Sequence, residues 1–333
     1  MSAATATAAS TPRRTDALVA GLQRNGWTVG LLGFLALLLV FTKLIQPSYG
    51  VPGVQGLAIS VLPLALAAVA QAIVVIAGGI DLSVGPMMAL TSVVSASLMK
   101  GQSEEFAVAV VIGVLLLGLV LGVVNGALVV ITRVPDIVVT LAMSFVWAGC
   151  ALLVLKTPGG GSAAWLKSLI TGSMVSEWIP KAAVVLIVVV ALIWLPLRRS
   201  RLGLSIYAIG SNQLAAFRSG VSVGRTKVAA YAFAGLFSAF GGLSLTASTG
   251  IGSPLASSYT LMSVAAVVLG GVSLAGGRGG VFGPIVGVMI LQLLRTDLTF
   301  LNLNPSYATV ANGLILIGVV MIGTLVQIRR ARA

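Results

Sequence analysis

The chain of 333 residues is 58% hydrophobic and only 8% charged, against about 25% charged residues in a soluble domain, so it cannot cover a water-facing surface and is read as an integral membrane protein. Its net charge of +13 is taken as the Lys and Arg excess of cytoplasmic loops and not as a nucleic-acid footprint. With no histidine and Cys150 as the single cysteine, a disulfide framework and a His/Cys metal cluster are excluded, and Cys150 is expected to pack as a small hydrophobe.

Residues 1–26 are rich in Ala, Ser and Thr and carry Arg13, Arg14, Asp16 and Arg24. They read as a flexible cytoplasmic tail rather than a targeting signal, because the apolar run begins only at Trp27. From there to residue 328 ten membrane helices are predicted: 28–45, 55–77, 82–99, 105–131, 136–155, 181–196, 226–248, 259–275, 281–297 and 306–328. A basic tail, 329–333, follows. The segments 82–99 and 181–196 fall short of the roughly 20 residues that span a bilayer, and the first could be re-entrant. Eight helices plus two re-entrant segments fit the pattern almost as well. The expected fold class is an all-α polytopic membrane protein with both termini cytoplasmic. That orientation places 14 of the 20 Lys and Arg residues inside, as the positive-inside rule requires. Trp27, Trp165, Trp178 and Trp194 fall near predicted interfaces. The outer loop 156–180 reads equally as a docking surface or a plain connector, and Glu104 and Glu105 as a solvated turn.

Gly118, Gly122 and Gly126 recur every four residues, with Gly113 before them, and form a ridge on which another helix can approach closely. Ala234, Ser238 and Gly242 repeat the spacing, as do Gly283 and Gly287. Gly78-Gly79-Ile80-Asp81-Leu82 is echoed by Gly270-Gly271-Val272-Ser273-Leu274, and Asn125-Gly126 by Asn312-Gly313; parallel repeats of this kind occur in transporters.

Asp81 is the acid that most needs explaining. It lies in the break Ala77–Pro86 between two apolar runs, where freed backbone groups must find partners inside the protein. As a structural residue it caps the following helix together with Ser83; as a functional one it lines a translocation path or gate, and the two roles are compatible. Gly79, Ser83 and Asn125 are grouped with it. The inside loop 198–226 runs from Arg198-Arg199-Ser200-Arg201 through Ser211, Asn212, Leu214, Ala215, Ala216 and Gly220 to Lys227, and suits a short helix lying flat at the cytoplasmic face. Missing are a phosphate-binding Gly-x-x-x-x-Gly-Lys-Ser/Thr loop, a nucleophile–histidine pair and paired carboxylates within a span. No catalytic group and no metal site is expected.

Four ordered motifs carry a family resemblance over roughly residues 50–325: Gly78-Gly79-Ile80-Asp81-Leu82-Ser83-Val84-Gly85, Arg133-Val134-Pro135 followed by Ile137-Val138-Val139-Thr140-Leu141, the inside loop, and Gly276-Gly277-Arg278-Gly279-Gly280-Val281-Phe282-Gly283-Pro284. Together they resemble the membrane permease subunit of bacterial sugar ABC importers of the ribose/xylose/arabinose type. The inside loop looks like that family's ATPase-docking pattern, Glu-Ala-Ala, three residues, Gly, with Ala215, Ala216 and Gly220 in place. Leu214 stands where the acid is often found, which removes a salt bridge that a hydrophobic knob could replace. Asp136 departs from an expected apolar residue. The resemblance implies a multi-pass inner-membrane subunit moving a sugar or polyol from an external solute-binding protein, paired with a second permease subunit (identical or not) and a cytoplasmic ATPase. ATP and Mg would sit on that ATPase, and no cofactor in this chain; the chain itself would be no enzyme, and its other contact is membrane lipid. Ser211, Asn212, Leu214, Ala215, Ala216 and Gly220 would then couple to the ATPase, and Gly79, Asp81, Ser83 and Asn125 belong to the path or gate. Two alternatives stand beside this reading: an ion-coupled secondary transporter using Asp81 or, less well placed, Asp297, and the same importer carrying a branched amino acid or another small solute.

Overall fold

The computed structural model describes residues 26–256 and 258–303, with positions 306, 307, 310, 313, 314, 317, 318 and 321 beyond them. The expected tail before Gly26, most of the expected helix 306–328, the basic tail 329–333 and Asn312 of the second echo lie outside the described residues.

Among the described residues up to Leu303, twelve helices follow in chain order: α1 (Gly26–Ile45), α2 (Val51–Ile76), α3 (Val84–Met99), α4 (Glu104–Thr132), α5 (Asp136–Val154), α6 (Ala164–Ile170), α7 (Lys181–Arg199), α8 (Arg201–Ser211), α9 (Gln213–Arg218), α10 (Val223–Thr249), α11 (Ser258–Leu269) and α12 (Phe282–Phe300). Seven of them, α1, α2, α4, α5, α7, α10 and α12, are long and apolar enough to cross a membrane. At 1.5 Å per residue, α3 reaches only about 24 Å and α11 about 18 Å, short of the roughly 30 Å hydrocarbon core. The full span expected at 259–275 is therefore corrected. Its helix ends at Leu269 because Gly270-Gly271 turn the chain there. The segment 181–196 is longer than expected and runs to Arg199 through Pro196.

Helix α2 is apolar on every face and forms the centre of the bundle, with every residue from Val61 to Ile76 buried. A helix of that kind has no solvent or lipid face to keep, so neighbours must surround it. Helices α10, α11 and α12 pack on it, α3 packs on α10 and α5, and α4 packs on α10 through glycines. A Cβ at Gly118 would lie 2.6 Å from the Gly235 carbonyl oxygen, and one at Gly126 would lie 2.7 Å from the Val228 α-carbon. At Gly122 it would overlap the Tyr231 carbonyl. The ridge read from the sequence is real on α4, but its counterpart on α10 is Tyr231, Gly235 and Ala239. Of the predicted trio, Gly242 instead faces α3, 2.6 Å from Met88 O at its would-be Cβ. Gly113 meets nothing and is not part of the contact.

The loop 156–180, expected outside, is tied down. Gly159 and Gly252 exchange backbone hydrogen bonds of 3.0 and 2.8 Å, and Gly161 N–H donates to Ala96 O at 2.9 Å. The Glu104 carboxylate accepts the Ala164 N–H at 3.0 Å and the Trp165 N–H at 3.4 Å. Rather than a solvated turn, Glu104 holds the first turn of α6. Trp194 is 3% exposed and belongs to the core, not to an interfacial belt; Trp178 is exposed, and the Trp27 indole N–H donates to Leu269 O at 2.9 Å.

Candidate functional site

The break after α2 is built by glycine. Gly78 takes φ +86°, and around it the N–H groups of Ala77, Gly78 and Gly79 return to Ile73, Val75 and Val74 at 3.1, 2.9 and 3.0 Å. The left-handed turn satisfies carbonyls that the helix end would leave bare. The same cap closes α11, with Gly271 at φ +77° and Gly270, Gly271 and Val272 N–H bonding Ala266, Val268 and Val267. The first sequence echo is thus a repeated cap, but Gly78 matches Gly271, one residue off the alignment read from the sequence. The positive-φ position fixes that register, and it leaves Asp81 opposite Leu274.

Several polar groups freed between the two helices find partners on neighbouring helices. Gln71, the one buried polar side chain of α2, in the amide orientation its neighbours dictate donates to Asp81 O at 2.8 Å and accepts Asp81 N–H at 3.2 Å. Thr140 on α5 donates to Ile80 O at 3.0 Å and accepts Leu82 N–H at 3.1 Å. Thr260 on α11 accepts Gly85 N–H at 3.0 Å. The Asp81 carboxylate is fully buried; its Oδ1 accepts Ser83 N–H at 2.8 Å and Ser83 Oγ–H at 2.6 Å. Asp81 therefore does not cap α3 directly. Ser83 is the N-cap residue, and Asp81 holds Ser83.

A directed chain of hydrogen bonds ends on that carboxylate. Trp147 Nε1–H donates to Asn125 Oδ1 at 3.1 Å, Asn125 Nδ2–H to Ser83 Oγ at 2.6 Å, and Ser83 to Asp81. Such chains strengthen each member by polarisation. Asp81 Oδ2 is buried without a hydrogen-bond partner among the described residues. Removing the side chain strands Ser83's donors, which costs about 1–3 kcal/mol, whereas an amide keeps the acceptor and drops a buried charge. Asp81→Ala is accordingly expected to lower the unfolding temperature in detergent, and Asp81→Asn to leave it unchanged or higher; the opposite order would remove the carboxylate from its holding role.

The loop expected inside forms two helices, α8 and α9. Asn212 caps α9 by accepting Ala215 N–H at 2.9 Å. Leu214 and Phe217 stand exposed on it, while Ala216 is buried. Gly220 follows at φ +84°, with Val221 N–H on Ala216 O at 3.0 Å. At the far end of α8, Gly210 is wedged between both breaks: a Cβ there would overlap Ile76 O and come within 2.6 Å of Gly277 N. Gly277 N–H donates to Ile76 O at 2.9 Å, a Cβ on Gly276 would lie 2.9 Å from Gly78 Cα, and Tyr207 Oη–H donates to Gly279 O at 2.8 Å.

Gly79, Asp81, Ser83 and Asn125 thus share one cluster, and Ser211 reaches its edge by facing Gly277. Leu214, Ala215, Ala216 and Gly220 lie apart, on and after α9. Sequence reasoning missed Gln71, Thr140, Trp147, Gly210 and Thr260. Gln71, the single polar residue in the apolar run from Val61 to Ile76, was the one available signal; the others look ordinary until the chain folds. Among the described residues no three His, Cys, Asp or Glu side chains group as a metal site would need. The arrangement can tie helix ends together and shift them, and it offers no nucleophile with a base.

Residues 53–325 match the family model described as branched-chain amino acid transport system / permease component. The chain is 33% identical to the ribose import permease protein of Bacillus subtilis, across 90% of this chain and 92% of that one. It is 34% identical to a probable ABC transporter permease protein of Sinorhizobium fredii, across 80% of each. Identity to the D-allose transport system permease protein of Escherichia coli is 30%, across 76% of this chain and 77% of that one. No solved structure matches.

Proposed function

The chain belongs to this permease family, and from that premise we propose that it is the membrane-spanning subunit of an ATP-driven importer that carries a sugar or related polyol inward. It is a multi-pass protein of the bacterial inner membrane and a permease subunit, not an enzyme. The relatives named for ribose and D-allose favour a sugar over a branched amino acid, whatever the family description says, and an ion-coupled carrier is not favoured. ATP and Mg are assigned to a separate cytoplasmic ATPase; an external solute-binding protein delivers the sugar, and a second permease subunit completes the path.

One observation supports this reading most: α8, which leads into the docking pattern, is seated through Gly210 on both helix breaks. A push on α9 from an ATPase would reach Ile76, Gly78 and Gly277 through a single rigid step. In this reading Leu214 and Phe217 form the knob that enters the ATPase, with Ser211, Asn212, Ala215, Ala216 and Gly220 shaping its support. Asp81, with Gly79, Ser83 and Asn125, belongs to the gate that the push acts on.

The test is reconstitution in liposomes with an ATPase and binding protein encoded beside the gene. Loaded binding protein should stimulate hydrolysis and sugar uptake, and Gly220→Trp should abolish the stimulation, since a non-glycine residue at φ +84° is strained whatever its size. Uptake that ignores ATP and follows an ion gradient would overturn the proposal.

A further inference from the structure

Asp136 is the acid that the importer reading leaves without a task, and its surroundings are specific. It opens α5, where a carboxylate is favoured by the helix dipole. Lys227 on α10 reaches it at 3.0 Å to Oδ1 and 3.2 Å to Oδ2, and Tyr231, one turn further along α10, donates its hydroxyl to Oδ2 at 3.1 Å. This is the one ion pair among the described residues. Both side chains are largely screened from solvent, at 17% exposure for Lys227 and 15% for Asp136, so neither is a freely solvated surface charge.

The pair also sits on the break. A Cβ at Gly79 would overlap Asp136 Oδ2 and approach Tyr231 Oη to 3.0 Å. The carboxylate is therefore pressed against the backbone two residues before Asp81. Four residues after Asp136, Thr140 holds Ile80 and Leu82. Any shift of the first turn of α5 moves both supports of the break together. On its other side, a cavity of about 600 Å³ lies between the pair and Gln213, the first residue of α9, with Arg133 and Gly224 also on its wall. Lys227 itself lies in the second turn of α10, a few residues after the docking helices.

We propose that Asp136 and Lys227 are positioning residues for the break: their bridge clamps the start of α5 to α10 across Gly79, and movement of α8 and α9 toward that cavity opens it. The inference rests on the importer reading for the origin of the movement, but the clamp itself does not. Tyr231 steadies the carboxylate without carrying charge. A bridge of this kind stores a switch that a purely apolar contact could not, because separation exposes both charges to water in the cavity and so offsets part of the loss.

The experiment uses the full chain with Cys150→Ala and a single new thiol, Ile80→Cys, in inside-out membrane vesicles. A small membrane-impermeant thiol reagent then reports how open the break is. Asp136→Asn and Lys227→Met should each raise the labelling rate at least about tenfold, the effect of losing one partner of a screened pair. The charge-swapped double variant, Asp136→Lys with Lys227→Asp, should return the rate to within about threefold of the parent, short of full rescue because a lysine opposes the α5 dipole. Single variants that label at the parent rate would overturn the proposal, as would a swapped variant that labels as fast as the singles. A simply loosened bundle would give that second result, so charge complementarity is distinguished from packing. The labelling needs no ATPase and no sugar. Failure of the unsubstituted complex to take up sugar with ATP counts against the importer reading alone.

Discussion

Gly210→Val should leave the chain in the membrane yet lower ATP-driven uptake by roughly ten- to a hundredfold, the range of a coupling free energy of about 1–3 kcal/mol. The reason is a backbone contact with no slack. The α-carbon of Gly210 lies so close to Ile76 O and Gly277 N that the first side-chain carbon would already collide with main chain. Main chain cannot swing aside as a flexible side chain does, so α8 must lift away from the two breaks. Overpacking of this sort costs about 1–3 kcal/mol, which a bundle centred on the buried stretch Val61–Ile76 of α2 can absorb. The contact that passes motion from α8 to Ile76 and Gly78 would be gone. Hydrolysis by the ATPase should continue at its basal rate while stimulation by loaded binding protein disappears. Gly56→Val is the matched control, since nothing lies near that position in α2. Unchanged stimulated uptake in Gly210→Val would show that the docking helices act through another contact.

Much of this arrangement was legible because membrane helices announce themselves by length and hydropathy. Nine of the ten predicted spans overlap observed helices, and the tenth falls mainly outside the described residues. What misled was the assumption that an apolar run continues as helix until its polar end. Residues 259–275 are apolar enough, but Gly270-Gly271 close the helix at Leu269 by a backbone turn that hydropathy does not register. At the site, the acid and its neighbours Ser83 and Asn125 stood out because polar residues are rare in this composition. Gly210 did not, since one glycine among 40 carries no mark of the carbonyl pressed against it. Asp136 was visible only as a departure from an expected pattern. Its partners Lys227 and Tyr231 lie about ninety residues away, and nothing local pairs them.

The same limit applies to the α4 ridge, where four glycines look alike and only three touch anything. Gly122→Ala should lower stability by about 1–3 kcal/mol, because the added carbon would overlap the Tyr231 carbonyl and lie 2.9 Å from the Ala232 α-carbon. In lipid, close backbone approach is itself the source of helix association, so pushing α4 from α10 forfeits contact along the whole seam. Gly113→Ala should do the reverse and raise stability by about 0.5–1 kcal/mol, the ordinary gain of replacing an unneeded helix glycine, since no atom lies within reach of its Cβ. Thermal unfolding of both variants in one detergent decides the matter through the sign of each shift. Equal shifts would mean that helix propensity, not the seam with α10, governs α4. Opposite signs would place the association energy on the face carrying Gly118, Gly122 and Gly126. That face also carries Asn125, one residue before Gly126, so the seam that holds α4 to α10 sets where the Asn125 amide meets Ser83.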